Sequence, residues 1–105
     1  MLNARPNLLH NLEYNRALYI NLVGASEGNE RNRVRRNIYN FVTRTLNWVP
    51  AYERRYTAFM FVKNDNRGYV ELENELRREI NLRGLTDDVI FYVLVRPAFE
   101  MDGEE

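Results

Sequence analysis

The side chains best placed for covalent chemistry lie in the segment GASEG, Gly24 to Gly28, which matches G-x-S-x-G. In hydrolases that pattern sets a serine, here Ser26, on a strand-to-helix turn. Such a serine needs a histidine base later in the chain, and the sole histidine, His10, precedes it. The match is therefore read as accidental. His10 stands among Leu8, Leu9 and Leu12, with no second histidine and no cysteine, so a transition-metal site has almost no ligands to draw on. A surface or packing role is expected for it. The lack of cysteine also removes disulfides and thiol nucleophiles, which fits a reducing compartment.

Binding chemistry is better represented. The run GASEGNERNR leads into a predicted helix, where backbone N–H groups together with Arg31 and Arg33 can meet a phosphate. It lacks the P-loop lysine and the dinucleotide fingerprint, so a contact to nucleic-acid backbone is the more reasonable use. Arg31, Arg33, Arg35 and Arg36 point around the helix, and at most two or three of them can reach one duplex. Arg54 and Arg55 add a second basic point. The candidate nucleic-acid contacts are thus Arg31, Arg33, Arg36, Arg54 and Arg55. Trp48, Tyr52 and Tyr56 have the chemistry to stack on bases, although aromatics at such positions usually serve the core or an interface.

Charge supports this reading only locally. The 105 residues carry 15 basic and 15 acidic side chains, a net charge of zero, which argues against coating nucleic acid by bulk electrostatics. From Arg31 to Arg55, however, seven arginines face one glutamate, while Asp65 to Glu105 holds eleven acids against five arginines. All basic residues but Lys63 are arginine, which favours planar, bidentate contacts to carboxylate or phosphate. Two uses of the asymmetry stay open. The arginines can meet phosphate, or the basic segment of one subunit can neutralise the acidic half of another.

These residues must be positioned by elements that periodicity makes legible. Ala17 to Val23, ALYINLV, reads as a buried strand ending at Gly24. Apolar residues at Val34, Ile38, Phe41, Val42, Leu46 and Val49 form one stripe of a helix. Trp48 to Tyr52 reads as a short edge strand, since proline is tolerated at edges, with Glu53 to Arg55 as its turn. Tyr56 to Val62 is a second apolar strand, and KNDNRG carries turn chemistry. Tyr69, Leu72, Leu76 and Ile80 make the buried face of a second helix, with Glu73 and Arg77, and Glu79 and Arg83, spaced as supporting pairs. Gly84 ends it, and Val89 to Val95 is the last strand.

The order predicts one α+β domain of the ferredoxin-like βαββαβ type, an antiparallel sheet with both helices on one face. Residues 1–16 read as an N-terminal arm, 17–97 as the domain, and 98–105 as an acidic tail. Continuous apolar strands need cover on the free face too, and a second copy is the expected cover. Tyr56, Phe59, Phe61, Phe91 and Val93 are the expected dimer contacts.

The region LYINLVGASEGNERNRVRRNI, the YTAFMF segment and DDVIFYVLVRP resemble, in that order, the motifs of the CRISPR-associated protein 2 family. The resemblance spans about Leu18 to Pro97 and departs around Trp48 to Glu53, where this chain has extra residues. It implies a ferredoxin-like dimer acting in spacer acquisition, with an integrase-type protein and duplex DNA as partners. It also implies that Ala98 to Met101 adds a strand to the partner's sheet. Family members credited with nuclease activity carry an aspartate where this chain has Gly24, which offers no ligand to a hard cation. The resemblance thus implies a non-catalytic scaffold without a cofactor. One alternative is a metal-dependent endonuclease in which Glu27 or Glu30 holds Mg²⁺ or Mn²⁺, although acids beside Arg31 and Arg33 ordinarily form surface ion pairs. Another is a protein-interaction or regulatory module of a mobile element that binds no nucleic acid. No apolar run approaches the roughly 20 residues that cross a bilayer and the first residues lack an apolar signal core, so a cytoplasmic address with no membrane partner is expected.

Overall fold

The computed structural model describes residues 13–23, 29–54 and 57–100. Strand β1, Arg16–Val23, comes first and is followed by helix α1, Asn29–Asn40, which runs on into a π-type turn over Phe41–Thr45. Strands β2, Val49–Arg54, and β3, Ala58–Lys63, form a hairpin. Helix α2, Tyr69–Leu82, leads to strand β4, Ile90–Pro97, and a 3-10 turn over Ala98–Glu100. The sheet order is β2-β3-β1-β4, with every neighbouring pair antiparallel. This is an α+β arrangement compatible with a ferredoxin-like fold.

The sequence reasons for these elements are local. β1 is apolar except at its start and at Asn21, as a central strand flanked on both sides requires. Pro50 lies in β2, an edge strand whose pairing to β3 shifts between Pro50 and Tyr52, where a residue without an N–H does least harm. α2 ends at Leu82 with Arg83 as its C-cap, and Gly84 takes φ +62, a left-handed conformation that costs glycine little. The apolar stripe of α1 does not continue unbroken to Val49. The π-type turn widens the helix, Leu46 N–H donates to Phe41 C=O at 3.2 Å, and Asn47 leaves with φ +65.

Register decides what each sheet face carries. Leu18 pairs with Phe61 and Val95, and Ile20 pairs with Phe59 and Val93, so all six side chains share one face. They are buried in one cluster with Val34, Ile38, Phe41, Val42, Trp48, Leu72, Leu76 and Ile80, which places both helices over that face. Phe59, Phe61 and Val93, expected on the free face as dimer contacts, therefore pack beneath the helices, and Phe91 packs against the same cluster. The opposite face carries Ala17, Tyr19 and Asn21 of β1, Ala58, Met60 and Val62 of β3, and Ile90, Tyr92 and Leu94 of β4. In YTAFMFV and VIFYVLV every residue is apolar or aromatic apart from one threonine, so no alternation marks which parity faces inward.

At the chain's C-terminal end, Ala98 to Glu100 form a 3-10 turn in the single chain, and Ala98 N–H donates to Asn15 C=O at 3.2 Å. Met101, like residues 1–12 of the expected arm and the end of the acidic tail, lies outside the described residues. Among the described residues no helix is long and apolar enough to cross a membrane.

Candidate nucleic-acid interface

Helix α1 presents most of the arginines singled out from the sequence, and the structure divides them into two groups. Arg33 forms an ion pair with Asp87 in the turn before β4, with both side chains substantially exposed. Arg35 meets Glu53 of β2 at 3.4 Å, and both are largely buried. Arg31 is half-buried. These contacts tie α1 to neighbouring elements, helped by the Asn37 amide, which donates to Leu85 C=O at 3.4 Å.

Arg36 and Arg44 form the second group. Both are exposed, and among the described residues neither makes an ion pair. Arg36, Asn40 and Arg44 follow one another at four-residue steps. Four residues of ideal α-helix overshoot a full turn, and the wider π-type turn over Phe41–Thr45 offsets part of that drift, keeping Arg44 near the azimuth of Arg36. Within it the Thr43 hydroxyl donates to Tyr39 C=O at 2.8 Å. Arg44 was not among the residues expected to act. It follows the run Arg31 to Arg36 by eight positions, and only the helical line joins them.

Arg54 is exposed at the end of β2, where Thr57 N–H donates to its carbonyl at 2.9 Å and fixes the hairpin end. Arg55 and Tyr56 lie outside the described residues. So do His10, Gly24, Ser26 and Glu27, together with the side chain of Glu30, which stands in the first turn of α1. Trp48 and Tyr52 are buried at 3% and 6% exposure and have no ring face to offer a base. Lys63 Nζ sits 5.7 Å from the Trp48 ring centroid and donates to Leu46 C=O at 2.8 Å, sealing that corner.

A second polar cluster was read from the sequence only as a turn. In the β3–α2 loop, Arg67 donates to Asp65 through Nη2 at 2.8 Å, through Nε at 3.1 Å and through its backbone N–H at 2.9 Å. Its Nη1 reaches Glu75 of α2 at 2.6 Å. From β1, Arg16 donates to Arg67 C=O through Nη2 at 2.7 Å and through Nε at 3.2 Å, while its guanidinium lies 4.4 Å from the Tyr69 ring centroid. Asn15 Oδ1 accepts from Asp65 N–H at 2.9 Å. The side-chain hydrogen bonds from Arg67 hold the Asp65 carboxyl far below the usual carboxylate range against the opposing effect of burial, and Asp65 in turn raises Arg67. An open polar cleft lined by Asn64, Asp65, Asn66 and Arg67 lies beside this cluster. Its carboxylate is already matched by a guanidinium, so the cluster acts as a clamp between β1, the loop and α2.

Among the described residues no group of three or more acids or histidines is arranged to hold a metal ion. Comparison with family models, with curated proteins and with solved structures returns no match for this chain.

Proposed function

We propose that the chain acts as a dimeric, non-catalytic scaffold that holds nucleic-acid backbone within an integrase-type assembly, the role implied by its resemblance to the CRISPR-associated protein 2 family. The observation that carries this reading is the line Arg36, Asn40 and Arg44 along α1 and its π-type turn, its two arginines exposed and free of ion pairs among the described residues. Two guanidiniums with an amide between them suit phosphate oxygens on a backbone and read no base sequence. Arg33, exposed and next to this line, and Arg54 at the hairpin end extend the basic surface.

A second reading has its own support. Arg33, Arg35, Arg67, Arg83 and Arg96 are each paired with an acid of the same chain, which uses up much of the charge that would meet nucleic acid. That pattern suits a module that binds protein only. The two readings separate in a titration of a short duplex at several salt concentrations. The scaffold reading predicts affinity that falls steeply with salt, and replacing both Arg36 and Arg44 with alanine makes the salt slope shallower by about 1 for each phosphate left without its arginine. Absence of binding at low salt would leave the protein-binding module in its place.

A further inference from the structure

A strand at a sheet edge exposes main-chain groups that a fold must occupy, block or leave open to another chain. β4 is such a strand, paired with β1 on one side. Main-chain groups alternate in direction along an antiparallel strand, so those of Val89, Phe91, Val93, Val95 and Pro97 turn away from β1. The far half of this edge is closed from within the chain. Val95 N–H donates to Glu73 Oε2 at 2.8 Å, Val95 C=O accepts from Arg96 Nη1 at 2.9 Å, and Val93 C=O accepts from Arg77 Nη2 at 3.3 Å. Pro97 has no N–H to offer. At the near end, Val89 N–H turns back to Thr86 C=O at 2.8 Å. Among the described residues, the groups left without a hydrogen bond are Phe91 N–H, Phe91 C=O, Val93 N–H and Val89 C=O.

That remainder is self-complementary. We propose that β4 pairs antiparallel with β4 of a second copy of this chain about a two-fold axis at Phe91, joining two sheets edge to edge. In this register Phe91 exchanges both bonds with the partner's Phe91, and Val93 N–H reaches the C=O of the partner's Val89. The bond missing from each half of the ladder would join Val89 N–H to a Val93 C=O, and both groups are already satisfied within their own chain.

Side chains fit the same axis. Ile90 and Tyr92, 58% and 60% exposed on the free face, each stand opposite the other residue of the partner, a β-branched and aromatic pair in the closer type of cross-strand site. The window is only Val89 to Val93, small against the roughly 1,200–2,000 Å² of a stable interface, so association depends on protein concentration.

This inference rests on the proposed function only in taking the working unit to be a dimer, and the absence of cysteine allows a direct test. The full chain is prepared as Ile90→Cys and as Tyr92→Cys, both at exposed positions, and mass is followed by light scattering over a concentration series while the thiols are oxidised. Opposed residues 90 and 92 lie within disulfide reach across the axis, whereas residue 90 and its own copy are offset along the ladder beyond the roughly 7 Å Cα limit. The expected result is a concentration-dependent doubling of mass and rapid cross-linking of the mixed variants, with little cross-linking of either variant alone. A mass that stays monomeric, a dimer whose mixed variants fail to cross-link, or equal cross-linking of one variant alone would overturn the pairing. Failure of the cross-linked dimer to bind duplex DNA would instead count against the scaffold reading and leave the pairing intact.

Discussion

Phe61 and Tyr92 are both aromatic residues in the middle of strands, and the structure gives them opposite roles. Phe61 is fully buried beneath the helices, its ring 6.0 Å from that of Tyr39, whereas Tyr92 is 60% exposed. Phe61→Ala is expected to lower stability by about 3–5 kcal/mol. Tyr92→Ala is expected to stay within about 0.5 kcal/mol for the isolated chain. Urea unfolding at low protein concentration reads both, and comparable losses would mean that the faces are assigned the wrong way round. Asp65 carries a second prediction. Its carboxyl is held below its ordinary value of about 3.9, so the unfolded chain binds its proton first as pH falls. The stabilisation is full above about pH 4 and fades as pH drops further, and Asp65→Asn should flatten that acid limb. An unchanged acid limb in the variant would remove Asp65 from the clamp. At this scale the sequence was readable where a residue's role followed from spacing, as with Val34, Ile38, Leu72, Leu76 and Ile80. It was silent where the role depended on register or on distant partners. Nothing in KNDNRG marks Asn15, Arg16 or Glu75 as its partners.

Helix α2 and strand β4 show how an element's context overrides its local pairing. Glu73 and Arg77 have the spacing of a helix ion pair, but Glu73 accepts the Val95 N–H and meets Arg96 at 3.3 Å, and Arg77 donates to Val93 C=O. Closing a sheet edge leaves fewer main-chain groups unpaired than an exposed i, i+4 pair, whose contribution is about 0.3–0.5 kcal/mol. Glu79 and Arg83, further from the strand, do form the expected pair at 3.2 Å. Glu73→Ala should make the Val95 amide exchange markedly faster with solvent, and hydrogen exchange followed by NMR checks it. Unchanged protection would show that the edge is closed by something other than this carboxylate. The existence and type of each element were legible, the helices from periodicity and the strands from apolar runs bounded by turn residues, the Pro50 edge strand included. The π-type turn was not, because the apolar stripe from Val34 to Val49 looks the same on paper whether or not the helix widens at Phe41.

For the whole molecule, the two-ended charge of the sequence is partly resolved inside the chain. Arg33 and Asp87 bring the basic and acidic segments together in one fold, and Arg35 meets Glu53 within the basic segment. Among the described residues of the basic segment, the arginines free of ion pairs, Arg36 and Arg44, lie along one line on α1, a narrower surface than the arginine count suggests. The order of elements was readable in the sequence because each helix carries its own period and each strand is an apolar run bounded by turn residues. The surface was not, because ion pairing between elements depends on the folded arrangement. The account stands or falls on whether a dimer of this chain grips nucleic-acid backbone through that line. Light-scattering mass with and without a short duplex, at about 50 and 200 mM salt, is the direct measurement. The account predicts a dimer that takes up the duplex at the lower salt and releases most of it at the higher, with Arg36→Ala and Arg44→Ala together weakening uptake but not the dimer. A chain that ignores the duplex at both salt concentrations would contradict it.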